Sequence, residues 1–274
     1  MKILDGKKLS KKILRNLERE IKTKKLKLKL AVVLVGQDKV SEIFTFQKQK
    51  ACAKIGIDFK LFRFSAKIKL IEFKKEIEKI AKNHFISGIG IQLPLPKHLD
   101  SQEVFNLIPF EKDIDIFSES GIGKFYTRTL PIMPPTIQGI SNLLKEYRIP
   151  LQGKNVVVVG AGRLVGYPAT LWLLRQKSAV TAVDRFAKDI SFFTKNADII
   201  ISGTGQPNFI TSKMIKKGVV LIDAGTCYQG DKLMGDIDVK SVSKKAGYIS
   251  PVPGGVGPMT VASLLQNLVR LHTS

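Results

Sequence analysis

The sequence is short of the residues that most directly announce a metal, a disulfide or a membrane. It has two cysteines, Cys52 and Cys227, far apart in the chain. They make neither a disulfide framework nor a CxxC metal or redox pair, and a reducing cytoplasm is the expected setting. The three histidines, His84, His98 and His272, show no HExxH spacing, so no catalytic zinc or other bound metal is expected. No run of eighteen or more apolar residues occurs, which argues against a membrane-spanning helix. GxxxxGK[ST] and GxSxG are both missing, leaving phosphate-loop NTPase and serine-hydrolase chemistry without support. Met1-Lys2-Ile3-Leu4-Asp5-Gly6-Lys7-Lys8 carries charge with no apolar run behind it, so no secretory leader is expected.

Acidic residues are scarce as well. Asp and Glu total 23 against 45 Lys and Arg, a formal balance of +22. Such a field attracts polyanions: nucleic acid, anionic lipid or an acidic substrate. Residues 1–30 hold twelve of the basic residues against Asp5, Glu18 and Glu20. The densest run, Lys22 to Leu30, reads as a helix end followed by a strand whose alternate residues face water. No zinc-finger or aromatic RNA-binding pattern accompanies it, which argues against nucleic acid as the partner.

What is present is a globular chain. It has 274 residues, 44% of them hydrophobic, enough for one large or two ordinary domains. Apolar runs alternate with helical patterns, the rhythm of βαβ units in an α/β fold. Strands are expected at Leu30–Val35, 58–64 and Ile86–Ile91, with helical stretches at 41–54 and near 69–83. Gln92-Leu93-Pro94-Leu95-Pro96 ends the third strand, because two prolines forbid its continuation. In open α/β sheets ligands sit at such strand ends. Residues 118–135 read as a Gly-, Ser- and Pro-rich connector, with a domain boundary near 120. A helix is expected at 136–147, then strands at Val156–Val159, Ala179–Val183, Asp198–Ser202 and Val219–Ile222. The last helix, Thr260 to Leu271, is free in sequence terms to pack back on the first domain.

Gly160-Ala161-Gly162-Arg163-Leu164-Val165-Gly166 follows the four-valine strand and opens a helix. Glycine there lets the backbone approach a pyrophosphate, and the helix N-terminus aims free N–H groups at it. The spacing is GxGxxxG, so a dinucleotide site is expected on this context. The next strand ends at Asp184-Arg185. An acid there suits the ribose hydroxyls of NAD and an arginine the extra phosphate of NADP, so the pair leaves both cofactors open. Asp113 and Asp115 alternate across a loop, which suits acid/base work and suits plain turn residues equally. Lys48 lies four residues after Phe44 on one helix face.

These segments, taken in order, resemble the bifunctional methylenetetrahydrofolate dehydrogenase / methenyltetrahydrofolate cyclohydrolase family over nearly the whole chain. The resemblance rests on Leu30–Gly36, on Ser41–Cys52 with its lysine, on Gln92–Pro96, on Lys112–Asp115, on the Gly160–Pro168 turn and on Asp223-Ala224-Gly225. Its most specific part is Pro251-Val252-Pro253-Gly254-Gly255-Val256-Gly257-Pro258-Met259-Thr260.

The resemblance implies an N-terminal α/β folate-binding catalytic domain (1–120) and a Rossmann-like NAD(P)-binding domain (121–274), with the active-site cleft between them. It implies oxidation of 5,10-methylenetetrahydrofolate with NADP, NAD being the rival. Hydrolysis to 10-formyltetrahydrofolate follows, in one-carbon metabolism and purine biosynthesis. Lys48, Gln92 and Asp115 would be catalytic. Phe44, Ile91, Leu93, Pro253, Gly254, Gly255, Val256 and Gly257 would complete the folate site. Gly160, Ala161, Gly162, Arg163, Val165, Gly166, Asp184, Arg185 and Thr226 would hold the cofactor. The resemblance further implies a cytoplasmic homodimer and a folate partner, polyglutamylated forms included.

Five positions depart from the family. Phe44 replaces a tyrosine, Ile116 a glycine, Ala161 an arginine, Gly162 a serine and Asp184 a histidine. Two other readings follow from these departures and from the charge. One is a dehydrogenase with weak cyclohydrolase, and the other is a basic nucleic-acid-binding protein on a dinucleotide-binding scaffold.

Overall fold

A computed structural model describes residues 1–99, 101–230 and 232–273. The chain begins with β1 (Lys2–Ile3), α1 (Gly6–Thr23), β2 (Lys29–Val35), α2 (Lys39–Ile55), β3 (Asp58–Phe64), α3 (Leu70–Lys82) and β4 (Gly88–Ile91). Three helices follow: α4 (Ser101–Asn106), α5 (Glu119–Thr127) and α6 (Pro135–Glu146). Next come β5 (Asn155–Val159), α7 (Gly166–Arg175), β6 (Ala179–Val183), α8 (Ile190–Thr194), β7 (Ile199–Ser202) and β8 (Val220–Asp223). A hairpin of β9 (Cys227–Gln229) and β10 (Lys232–Met234), then α9 (Val239–Val242), β11 (Tyr248–Ser250) and α10 (Val256–Arg270) complete it. Among the described residues no helix is long and apolar enough to cross a membrane.

Two compact units result. Lys11–Pro135 with Val261–Ser274 forms one, and Met1–Ser10 with Thr136–Thr260 the other. The division falls at Pro135/Thr136 rather than near 120. The reason lies in the expected connector, which contains α5. Ser118 caps that helix by accepting from the Gly121 N–H at 3.0 Å, and Phe125 is buried. Gly121 and Gly123 hide the helix from propensity. Yet a Cβ at Gly121 would lie 2.9 Å from Asp113 Oδ2, so the close approach selects glycine there.

The three-stranded unit has a parallel sheet in the order β3-β2-β4. Its central strand is apolar on both faces, as a buried parallel strand must be. Leu30 and Val32 join Leu17, Ile21, Cys52, Ile55 and the α10 residues Leu264, Leu265 and Leu268 on one side. Ala31, Val33 and Val35 join Phe73, Ile77, Ile89 and Phe105 on the other. Ahead of it the Lys-Leu alternation behaves as expected: Leu28 and Leu30 are buried and Lys27 is exposed. Glycine at 88 lets α10 approach, since a Cβ there would sit 2.6 Å from Leu268.

The six-stranded unit has an all-parallel sheet in the order β1-β11-β8-β7-β5-β6. β5 lies between β6, which follows it, and β7, so the winding reverses there. Ligands bind outside the carboxyl ends of strands at such a switch point.

Candidate active site

The three-stranded unit builds a buried polar group on α2. Asp38 caps this helix, accepting from the Ser41 N–H at 2.8 Å. Its buried stripe runs Ser41, Thr45, Lys48, Ala51, Cys52 and Ile55, the three-and-four spacing of one helix face. Lys48 therefore points inward and is only 7% exposed. Its Nζ donates to Gln92 Oε1 at 3.0 Å. Gln92 follows β4 and is itself held, its Nε2 donating to the Leu93 carbonyl at 3.1 Å. Ser41 Oγ donates to that same carbonyl. Burial pushes the Lys48 ammonium below its ordinary pKa, while the charge of Asp115 opposes the shift.

The two loop carboxylates have separate jobs. Asp113 is buried and spends its oxygens on the backbone, accepting from the Phe117 and Ser118 N–H groups at 3.0 and 2.8 Å. It shapes the loop. Asp115 is also buried, but its Oδ2 has no hydrogen-bond partner. A buried, unsatisfied acceptor costs free energy that a bound donor recovers, which makes this oxygen a candidate ligand contact. Glycine at 90 makes room for it: a Cβ there would lie 3.2 Å from Oδ2. Burial raises the Asp115 carboxyl to about 6, with Lys48 pulling it down and Asp113 pushing it up. Ile116, directly after Asp115, adopts φ 59°. A β-branched residue in the left-handed region is strained by about 1–2 kcal/mol, and the buried loop imposes it.

The sign of the Asp115 shift gives a stability prediction. The folded chain holds a proton up to about pH 6 that the unfolded chain releases near pH 4. This contribution is complete below the lower value and is lost as pH rises through the upper one. It amounts to about 3 kcal/mol. Urea unfolding of the native chain and of Asp115→Asn between pH 4 and pH 7 should show the native chain losing that much more. Parallel curves would remove Asp115 from the linkage.

Of the other residues assigned to the folate site, Phe44 is half-buried and packs on the core around Leu30. The Ile91 side chain is buried in the opposite core, and Leu93 packs on that core too. Only their backbones are placed beside Gln92, because β4 alternates its faces. Pro253–Gly257 lies in the six-stranded unit. There Gly254 takes φ 111° and its carbonyl accepts from the Lys7 N–H at 2.9 Å. A Cβ on Gly255 would sit 2.6 Å from the Pro251 carbonyl oxygen.

The same unit carries an open cavity of about 770 Å³ at the carboxyl ends of β5, β6 and β7. Gly160, Ala161, Gly162, Asp184 and Arg185 line it, as expected. Arg163, Val165, Gly166 and Thr226 are not among its lining residues. Val165 and Gly166 instead shape the turn. A Cβ on Gly166 would lie 2.0 Å from the Gly160 carbonyl oxygen, and one on Gly203 would lie 2.8 Å from Val165. Gly160 takes φ 100°. The cradle is thus one a side chain would fill, with the α7 N-terminus behind it, and it fits a dinucleotide pyrophosphate. Asp184 Oδ1 accepts from the Phe186 N–H at 2.9 Å, and the Arg185 guanidinium lies 5.1 Å from the Phe186 ring centre. The sequence reading missed Phe186, Thr204 and Gln206, which also line the cavity. Gly203-Thr204-Gly205 after a strand was the available signal.

Family models divide the chain between residues 115 and 134, close to the Pro135/Thr136 division, but place residues 4–10 and 261–274 with the opposite unit from the structure. Residues 4–115 match the family model "Tetrahydrofolate dehydrogenase/cyclohydrolase, catalytic domain", and residues 134–274 match its "NAD(P)-binding domain". The chain is 43% identical to "Bifunctional protein FolD" of Hydrogenobaculum sp. (strain Y04AAS1), over 99% of each chain. It superposes on the bifunctional FolD methylenetetrahydrofolate dehydrogenase/cyclohydrolase of Campylobacter jejuni with a TM-score of 0.93. That match has 38% identity and covers 100% of this chain and 99% of that one. The Trypanosoma brucei dehydrogenase-cyclohydrolase, solved with NADP cofactor and an inhibitor, gives a TM-score of 0.94. Its identity is 30%, covering 99% and 97% of the two chains.

Proposed function

From the premise that the chain belongs to the tetrahydrofolate dehydrogenase/cyclohydrolase family, we propose how its own residues divide the two activities. The enzyme oxidises 5,10-methylenetetrahydrofolate to the methenyl cation and hydrolyses that cation to 10-formyltetrahydrofolate. The bound dinucleotide supplies the hydride acceptor. NADP is favoured, as in the trypanosomal relative, with Arg185 placed at the cavity wall for its extra phosphate. Asp184 beside it leaves NAD as the second candidate.

The observation that carries the reading is Lys48 held by Gln92 at 3.0 Å in the same buried group as an open Asp115 oxygen. Lys48, whose pKa burial lowers, is the base that takes a proton from the water attacking the methenyl carbon. It then returns that proton to the ring nitrogen that leaves, and the hydroxyl proton of the adduct goes to solvent as the formyl C=O forms. Gln92 orients Nζ. Asp115 accepts hydrogen bonds from the polar edge of the pterin. Phe44 stacks on the aminobenzoyl ring without a hydroxyl to offer. We further infer a cytoplasmic homodimer that supplies formyl groups for purine synthesis. The +22 balance then speeds encounter with polyglutamylated folates, an effect that fades with salt.

A two-wavelength assay tests this. Purified protein receives methylenetetrahydrofolate with NADP or NAD, and reduced dinucleotide is followed together with the methenyl intermediate. We expect reduced NADP to accumulate faster than reduced NAD, with no lasting methenyl signal. A persistent methenyl signal would leave the dehydrogenase alone and point to Phe44 and Ile116. No reduction with either dinucleotide would overturn the proposal.

A further inference from the structure

We propose that Asp236 is a positioning residue for dinucleotide binding, because its carboxylate pins the Ser202–Thr204 segment that walls the cavity. The inference rests on the reading of that cavity as the dinucleotide site. Asp236 is fully buried at the start of the segment after β10. One oxygen, Oδ2, accepts both the Ser202 hydroxyl at 2.7 Å and the Thr204 N–H at 2.6 Å. These two hydrogen bonds hold the end of β7. Gly203 lies between their donors, and a Cβ on Gly160 would meet the Gly203 carbonyl at 2.6 Å. A shift of Gly203 would therefore be felt directly by the glycine turn.

The carboxylate is itself fixed from behind. Asp223, at the end of β8, accepts from the N–H groups of Gly225 and Asp236 at 3.1 Å and of Ile237 at 3.0 Å. Gly225 leaves room for the second oxygen of Asp236, since a Cβ there would lie 1.9 Å from Oδ1. That oxygen is buried with no hydrogen-bond partner. A purely structural carboxylate would be expected to satisfy both oxygens. Here the geometry directs all of the acceptance at the cavity wall. Lys48 lies in the other unit.

The test compares native enzyme with Asp236→Asn and Asp236→Ala. Dissociation constants for reduced NADP are measured by fluorescence titration, with KM and kcat for the dehydrogenase and the melting temperature alongside. We expect the dissociation constant and the dinucleotide KM to rise about threefold in Asp236→Asn and tenfold or more in Asp236→Ala. kcat at saturating dinucleotide should stay within about twofold. Asn keeps one acceptor oxygen but not the charge, so partial rescue is the signature of positioning. If Asp236→Ala does not fold, Asp236→Asn decides alone. A native-like constant in folded Asp236→Asn overturns the inference, and so does a fall in kcat with KM unchanged. Failure of the native enzyme to bind the dinucleotide would instead overturn the reading of the cavity.

Discussion

Lys48→Met abolishes hydrolysis of the methenyl substrate while the protein still folds and still binds dinucleotide. A positioned acid/base group contributes about 10²–10⁴-fold, and the loss should reach the upper part of that range. Lys48 Nζ donates to Gln92 Oε1, and methionine can neither take nor return a proton. Methionine matches the lysine stem in length and is at home in an apolar stripe. It leaves Gln92 Oε1 without this donor and Asp115 without the opposing charge, which costs stability, so the melting temperature is measured alongside. One consequence separates this account from a general loss of structure. Without the opposing charge of Lys48, the Asp115 carboxyl moves further above the usual carboxylate range. The measurement is formyl product formed from the methenyl compound with no dinucleotide present, set beside a dinucleotide titration. Product at the native rate would end the role assigned to Lys48.

Gly166→Ala removes dinucleotide binding, and Gly160→Ala weakens it severely. At Gly166 the new methyl would sit 2.0 Å from the Gly160 carbonyl oxygen and 2.7 Å from the Ala161 Cα, both backbone atoms. Backbone cannot rotate out of the way as a side chain can. At Gly160 the methyl meets the Gly203 carbonyl at 2.6 Å and the residue must also hold φ 100°. Overpacking costs about 1–3 kcal/mol and the left-handed conformation about 1–2 kcal/mol more. Together these correspond to a loss of affinity of roughly a hundredfold or more. Gly162 is the informative contrast. A Cβ there meets nothing within 4 Å, so Gly162→Ala should cost far less than either. Fluorescence titration of the three variants ranks them. Equal affinities would mean that the glycine turn does not hold the dinucleotide.

Much of the fold was legible because its signals are local. β3 and β6 fall where apolar runs bounded by polar or glycine residues place them, at Asp58–Phe64 and Ala179–Val183. The Gly160 turn was readable because tight βα turns need glycine wherever they are used. Lys48 was readable as one face of α2, since helical spacing is a property of the sequence. α5 was not, because its glycines argue against a helix and its cap depends on a carboxylate five residues before Ser118. The unit boundary was missed for the same reason.

Residue order alone specified an α/β chain with a glycine-rich turn after a buried strand and a lysine sharing a helix face with Phe44, since each depends on neighbours within one or two turns of chain. Tertiary structure alone decided which carboxylate does which work. Asp113 and Asp115 are the same residue type two positions apart, yet backbone N–H groups saturate the first and leave an oxygen of the second open. Asp236 reaches Ser202 and Thr204 only because β7 and the segment after β10 meet. Burial and hydrogen-bond partners set these roles, and both come from residues distant in sequence.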